Sequence, residues 1–257
     1  MRSKVRKKIS YSCYRMIRGL VWLCYPKMTL RGTENIPQEP CIFVANHTQM
    51  NGPICAQLYF PGKRKIWCAH QMMHMKEVPD YAFDDFWSQK PKKVRWLYRL
   101  LSYLIAPVSA CVFQNADTIA VYHDNRLLST FKQSIAALED GYHIVIFPEG
   151  RQEHNHVVNL FQERFVDTAK LYYKRTGKAV SFVPVYIAPS RKEICFGKKV
   201  CFDPGAQMDE ERRRICDYLM EAITQTAKSL PLHKVVPYSN ISRREYPNNI
   251  CDERVEL

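Results

Sequence analysis

Residues 39–53, EPCIFVANHTQMNGP, pass from an apolar run to a polar one. The apolar run at 41–45 predicts a buried β-strand, and the polar residues that start at Asn46 predict a loop. Pro53 suits the first turn of a following helix. We therefore expect a buried strand, a polar loop and a helix, in that order.

The same alternation continues along the rest of the chain. Short apolar runs rich in β-branched and aromatic residues predict further strands at 65–69, 108–113, 142–150, 181–189 and 193–202. Amphipathic patterns predict helices at 126–141, about 157–175 and about 209–229. The apolar segment 94–108 is expected to end at Pro107, either as core or as an interfacial helix. Strands that alternate with helices predict the α/β class: a single domain with a mixed central sheet flanked by helices.

The N-terminal segment is strongly basic. Residues 1–32 carry nine lysines and arginines and no carboxylate, and the whole chain has a net charge of +13. This pattern predicts a basic amphipathic helix at a membrane interface, where each basic residue contributes about 1 kcal/mol near an anionic leaflet. A surface helix packed on the domain is the alternative. We divide the chain into this helix (1–27), an α/β domain (28–230) and a C-terminal surface-wrapping tail (231–257).

Composition excludes several classes of protein. The 257 residues are 46% hydrophobic and 25% charged, which is the balance of a globular chain and not of a disordered, collagen-like or coiled-coil one. No charge-free apolar run reaches about 18 residues, so no transmembrane helix is expected. The ten cysteines contain no C-x-x-C pair and predict reduced cytosolic thiols. The positive charge predicts an anionic partner: a membrane surface, a phosphorylated substrate or nucleic acid.

Two polar loops that follow buried strands carry the candidate chemistry. The first holds His47, with Asn51 as a nearby partner. An unperturbed imidazole titrates near neutral pH and can act as a general base. The second is FPEGRQE (147–153), in which Glu149 offers a carboxylate, while Gly150 and Arg151 belong to a turn suited to a phosphate. Each signal is weak alone, since a histidine can simply cap a loop.

Together the two loops resemble those of the PlsC-type glycerolipid acyltransferase family, the 1-acylglycerol-3-phosphate acyltransferases and their relatives. The resemblance rests on Asn46 and His47 for the family's N-H-x4-D motif, on 147–150 for F-P-E-G-T-R, and on 183–185 for a V-P-V strand. It covers residues 28–205 in order and spacing. The family's glycerophosphate-binding arginine corresponds best to Arg126.

The resemblance implies the transfer of an acyl group from a thioester, acyl-CoA or acyl-carrier protein, to the hydroxyl of a lysophospholipid. In such a reaction His47 would be the general base, and Asn51 or Glu149 would orient it. Four residues would bind the acceptor: Arg126, Glu149, Gly150 and Arg151. The implied reaction uses no metal and no cofactor beyond the acyl thioester. The implied partners are a membrane phospholipid surface, the acceptor and the donor, with no nucleic acid, and the implied location is peripheral, on the cytoplasmic face of the membrane.

The chain departs from the family pattern at two positions. Gly52 stands where the family has its aspartate, so the carboxylate that would orient the histidine is missing. In a serine-protease triad, replacing the orienting aspartate by asparagine costs about 10⁴ in turnover. Arg151 also arrives one residue early. These departures favour one alternative, a catalytically impaired family member that binds lipid or acyl chains at the membrane.

Two other kinds of site are weakly indicated. His70 and His74 are spaced i, i+4 beside Cys68 and Glu77, a spacing that zinc sites use, but the central glutamate of H-E-x-x-H is missing. We therefore predict no metal. Basic clusters are dispersed and no recognised nucleic-acid module frames them, which indicates solvated faces or contacts with membrane and phosphate.

Overall fold

The structure is a computed structural model that describes residues 2–87, 91–122 and 124–250, without the side chains of 2–9 and of Asp85. Its helices, in chain order, are α1 (Arg2–Cys24), α2 (Asn51–Tyr59), α3 (Val78–Ala82), α4 (Arg95–Asn115), α5 (Leu127–Glu139), α6 (Asp167–Thr176) and α7 (Met208–Ser229). Its strands are β1 (Thr29–Arg31), β2 (Ile42–Ala45), β3 (Arg64–Ala69), β4 (Thr118–Val121), β5 (His143–Ile146), β6 (Glu149–Glu153), β7 (Asn159–Phe161), β8 (Ser181–Ala188), β9 (Glu193–Phe196) and β10 (Val200–Cys201).

Contacts divide the chain into two compact units. The first joins Met1–Pro26 to Ile66–Thr130, and the second joins Lys27–Lys65 to Phe131–Leu257. The predicted division of the chain at residues 27 and 230 was based on expected membrane contact and surface position, and not on contacts within the chain. That division stays a prediction.

The second unit contains a mixed sheet with neighbouring strands in the order β1-β9-β8-β2-β5. The pairs β1–β9, β8–β2 and β2–β5 are parallel, while β8–β9 and β10–β8 are antiparallel. Every residue of β2 is buried, because the strand lies inside the sheet and is apolar along its length. Helix α7 packs on β8 and buries Ile215, Leu219 and Ile223. The predicted α/β class, with a mixed central sheet flanked by helices, is confirmed.

The first unit contains the parallel pair β3–β4 and the packed helices α1 and α4. The side-chain amide of Asn115 donates to Ser10 Oγ at 2.9 Å, and the Ser10 hydroxyl lies 3.7 Å from Cys111 Sγ. Tyr14 is buried at this helix pair. An N-terminal helix is therefore present, although the side chains of the basic residues at 2–8 lie outside the described part of the chain.

Helix α4 corrects two predictions. The segment was expected to end at Pro107 and to be followed by a strand at 108–113, yet α4 runs without a break through Pro107 to Asn115. A short apolar run has no periodicity that separates a strand from a helix. Proline costs a helix interior one hydrogen bond but does not force an end where packing holds the helix.

Much of α4 is apolar and exposed. Trp96, Leu100 and Leu104 are each more than half exposed, as are Leu20 and Trp22 on α1. By length and composition alone, Lys92–Asn115 could cross a membrane. The expectation of no transmembrane helix rested on the absence of a long charge-free apolar run and on an end of the segment at Pro107, and α4 continues past that proline.

The segment 148–176 also differs from expectation. The predicted turn after β5 is strand β6, which pairs with β7 as an antiparallel hairpin. The helix predicted from about 157 begins only at Asp167, after a 3₁₀ turn at Glu163–Val166. Strand β7 covers only Asn159–Phe161, and the buried side chains of Val157 and Val158 come directly before it in irregular chain.

The C-terminal tail, defined here as residues 231–250, is held by Asn249. The Asn249 side chain, which is fully buried, donates to Ala227 O and Leu230 O and accepts from the His233 N–H at 2.8 Å. The backbone N–H of Asn249 donates to His233 O, and the N–H of Val235 donates to Pro247 O. Residues 251–257 of the predicted tail lie outside the described part of the chain.

Candidate active site

The candidate site lies in the second unit, where two parallel strands end side by side. In the register of β2 and β5, Val44 pairs with Ile146. Since parallel strands end at the same edge of a sheet, the residues that follow them come together there. His47 follows β2, and Phe147 and Glu149 follow β5. The sequence predicted these two loops separately, and the register of the sheet explains why they meet.

The His47 loop, residues 46–52, is tightly fixed. The Asn46 side chain accepts from the Ile187 N–H at 2.7 Å and donates to Ile187 O at 3.1 Å, which ties the loop to β8. Thr48 and Gln49 both have positive φ values, 47° and 56°, and such values are uncommon outside glycine. Backbone conformations of this kind cost about 1–3 kcal/mol each and cluster at functional sites.

The side chain of Glu149 is hydrogen-bonded to the backbone of the His47 loop. Its Oε1 accepts from the His47 backbone N–H at 2.6 Å, and its Oε2 accepts from the Asn159 N–H at 2.7 Å. Burial raises the pKa of Glu149 to about 7, although both N–H donors act to lower it. The carboxylate thus bridges the His47 loop and the β6–β7 hairpin, and its described bonds go to backbone and not to the imidazole.

The imidazole of His47 lies between two aromatic rings. The Phe147 centroid is 5.3 Å away with an interplanar angle of 68°, and the Tyr238 centroid is 5.6 Å away at 77°. Nδ1 is buried and has no hydrogen-bond partner among the described residues. Burial lowers the pKa of His47 to about 4, against a smaller raising effect from the Gln49 backbone. The ring is therefore neutral at physiological pH, the state in which it can accept a proton.

Asn51 and Gly52 complete the turn behind His47. The Asn51 side-chain amide donates to Thr48 O at 3.1 Å and does not bond His47 Nδ1. The N–H of Gly52 donates to His47 O at 3.1 Å. A Cβ on Gly52 would lie 2.2 Å from His47 O and 2.9 Å from a ring carbon of Phe147. This turn has no room for a side chain at the position where the resemblance has its aspartate.

The predicted acceptor-binding residues differ in their surroundings. Gly150 O accepts from the Asn159 side chain at 2.8 Å, directly after Glu149. Arg151 is exposed on β6. Arg126 belongs to the first unit, where it forms an ion pair with Asp124 at 2.8 Å and stacks over the Tyr122 ring at 4.3 Å. The structure thus brings His47, Glu149 and Gly150 together within one unit.

Sequence reasoning missed the part of the site that comes from the C-terminal tail. Besides the Tyr238 ring, the tail contacts the His47 loop through Gln49, whose side chain donates to Ser239 O at 2.9 Å and accepts from the Tyr246 hydroxyl at 3.2 Å. These partners are 190 and 197 residues away from Gln49 in the chain. No spacing or local pattern signals a contact at that separation.

The histidine pair that resembled a zinc site has other partners in the first unit. His70 Nδ1 lies 3.2 Å from Val121 O, its Nε2 lies 3.5 Å from Glu77 Oε2, and its ring packs against Tyr122. Within the described residues, no group of three or more histidine, cysteine or carboxylate side chains is placed to hold a metal ion.

Comparison with solved structures shows a similarity in fold. The chain is similar to the crystal structure of the 1-acyl-sn-glycerophosphate (LPA) acyltransferase, PlsC, from Thermotoga maritima, with a TM-score of 0.47 and 20% sequence identity. The similarity covers 90% of this chain and 84% of that one. No family model and no curated protein matches the sequence.

Proposed function

We propose that this protein transfers an acyl group from a thioester, acyl-CoA or acyl-carrier protein, to the hydroxyl of a lysophospholipid, with His47 as the general base. One observation carries the proposal: a neutral imidazole stands at the shared end of β2 and β5, and a buried carboxylate, Glu149, holds its backbone. The sequence resemblance described above supplies the reaction class that such a histidine would serve.

The proposed chemistry needs no group other than the imidazole and the two substrates. A ring nitrogen of His47 accepts the hydroxyl proton as the acceptor oxygen attacks the thioester carbonyl carbon. The carbon–sulfur bond breaks, and the proton on the imidazolium goes to the leaving thiolate. A base with a low pKa holds the proton only weakly, so it returns the proton readily to a thiolate, whose ordinary pKa is near 8.5.

We assign the remaining predicted residues as follows. Gly150, Arg151 and Arg126 are proposed contacts for the phosphate-bearing acceptor, since arginine and a turn with backbone donors suit that group. Asn51 is proposed to hold the turn behind His47, because its described bond goes to Thr48 O. Glu149 is proposed to act through the loop backbone.

We propose that the protein works at a membrane surface, on the cytoplasmic face and as a peripheral protein. The exposed apolar side chains of α4 and α1 support this location, because large apolar patches on soluble surfaces mark interaction sites. The basic N-terminal segment would add attraction to anionic phospholipids.

A second candidate function is lipid or acyl-chain binding without catalysis. Its support is specific: His47 Nδ1 has no described partner, and the position of the family's aspartate has no space for a side chain. A histidine without an orienting carboxylate stabilises an imidazolium less, so transfer would be slow or absent.

Acyl transfer by the purified protein distinguishes the two functions. Labelled acyl-CoA and acyl-carrier protein are offered with a panel of lysophospholipids, including lysophosphatidic acid, in vesicles that contain anionic phospholipid. His47→Ala is the test variant, and His154→Ala, which removes an exposed imidazole, is the matched control. We expect transfer by the wild type and by His154→Ala, with at least a hundredfold loss in His47→Ala.

Transfer that persists in His47→Ala would overturn the assignment of the base. A folded wild type that binds the vesicles but transfers no acyl group to any acceptor would favour the binding function.

A further inference from the structure

The Nδ1 atom of His47 lacks a side-chain partner of the kind that usually orients a catalytic imidazole. A catalytic imidazole is commonly oriented by a partner on its second nitrogen. Here Nδ1 is buried without a described partner, Asn51 bonds Thr48 O, and Glu149 bonds the loop backbone. Apart from the Gln49 backbone, the described contacts that can fix the plane of the ring are packing contacts.

Packing around the ring comes from two sides. Phe147 and Tyr238 both meet the imidazole edge to face, at centroid distances within the range that aromatic pairs prefer. Phe147 belongs to the chain directly after β5 and is present wherever the sheet forms. Tyr238 comes from the C-terminal tail, so its contact depends on how that tail is held.

Hydrogen bonds of neighbouring tail residues hold the segment around Tyr238 in place. The neighbouring Ser239 O and the Tyr246 hydroxyl both bond the side chain of Gln49, inside the His47 loop. Asn249 fixes the base of the same segment with its buried side chain. Three separate attachments thus fix where the Tyr238 ring lies against His47.

We propose that Tyr238 is a positioning residue for His47: its ring, together with Phe147, fixes the imidazole plane and keeps water from the ring in place of an orienting carboxylate. This inference rests on the proposed function for its catalytic meaning. Its structural content, a ring orientation and a burial of Nδ1 that depend on the tail, can be measured without any substrate. The described ionisable side chains that contact this loop include Glu149, Tyr246 and Tyr238 itself.

Four variants distinguish a packing role of Tyr238 from a hydrogen-bonding role of its hydroxyl and from a general loss of stability. Tyr238→Phe keeps the ring, Tyr238→Leu keeps apolar volume without a ring, and Tyr238→Ala removes both. Tyr173→Ala, which removes a partly exposed tyrosine on α6 of the same unit, is the matched control. Circular dichroism and urea unfolding show which variants are folded, and Tyr238→Leu replaces Tyr238→Ala if the latter is not.

The first measurement is the titration of the His47 imidazole by nuclear magnetic resonance. Its pKa is about 4 in the intact site because of burial. We expect Tyr238→Ala and Tyr238→Leu to raise this pKa toward its ordinary value of 6.5 as water reaches the ring, and Tyr238→Phe and Tyr173→Ala to leave it in place. A His47 titration unchanged in folded Tyr238→Ala or Tyr238→Leu would overturn the inference.

The second measurement is the rate of acyl transfer on the same variants. We expect kcat to fall at least about tenfold in Tyr238→Ala with a smaller change in KM, and to be retained in Tyr238→Phe. An equal loss in Tyr238→Phe, or in Tyr173→Ala, would overturn the positioning role. If no variant and no wild type transfers an acyl group, the proposed function fails, and the His47 titration alone still decides whether Tyr238 positions the ring.

Discussion

Replacing Glu149 by glutamine tests the central contact of the site. In the wild type each carboxylate oxygen accepts one backbone N–H, from His47 and from Asn159. Glutamine has one acceptor oxygen, so its NH₂ group must face one of these donors. A buried donor left without an acceptor costs about 1–3 kcal/mol. We expect Glu149→Gln to be folded and less stable than the wild type by an amount in that range near pH 4.

The pH dependence of the effect gives a sharper test. Because the pKa of Glu149 rises from 4.5 to about 7 on folding, the native state holds its proton longer than the unfolded state does. The wild type therefore loses stability as pH rises through this window, by about 3 kcal/mol in all, and the glutamine variant does not. The stability advantage of the wild type should be largest near pH 4 and should shrink by about that amount near pH 8.

Urea unfolding followed by circular dichroism at a series of pH values measures this difference. Glu153→Gln, on the same strand but exposed, is the control and should leave the stability curve in place. A wild-type advantage that stays constant with pH, or one that grows as pH rises, would show that Glu149 is not held as a buried carboxyl with a raised pKa.

Three further predictions concern the turn, the tail and the apolar surface. Gly52→Asp should not raise the rate of transfer and should lower stability by about 1–3 kcal/mol in urea unfolding, because its Cβ meets His47 O at 2.2 Å; a faster enzyme would contradict the rigidity of this turn. Asn249→Ala should lower the free energy of unfolding by about 2–4 kcal/mol, because three hydrogen bonds of the Asn249 side chain are lost. The same variant should be cleaved faster by trypsin at the exposed Arg243. Cleavage at the wild-type rate would argue against this attachment of the tail. Leu104→Asp should weaken co-sedimentation with anionic vesicles about tenfold at unchanged stability, because this side chain is 65% exposed on α4; unchanged vesicle binding would exclude this part of α4 from the membrane contact.

The sheet could be predicted from sequence because its strands are short, apolar and bounded by polar residues. The run at 41–45 is buried throughout, and so are the last three residues of the run that ends at Ile146. A fully buried strand is visible in the sequence as a continuous apolar run. The same apolar runs predicted that His47 and Glu149 come directly after strands. Their meeting depends on the parallel register of β2 and β5, and parallel strands are the usual arrangement where strands alternate with helices.

Other parts of the structure could not be predicted from local sequence patterns. The run at 108–113 is helical because the preceding turns of α4 continue through Pro107, so the outcome depends on packing against α1 and not on local propensity. The contact of Tyr238 with His47 depends on a tail held by Asn249, far along the chain. Long-range contacts of this kind are decided by tertiary structure, and a single sequence does not display them.

The attachment of the tail to Gln49 also bears on when the site forms during synthesis. Chains emerge from the ribosome from the N-terminus onward, and contacts form only between segments that have already emerged. His47 is available early, but Ser239 follows Gln49 by 190 residues and Tyr246 by 197. The surroundings of His47 can therefore be completed only after the segment around Tyr238 has been made. A chain interrupted before that segment would lack the Tyr238 ring and both partners of the Gln49 side chain.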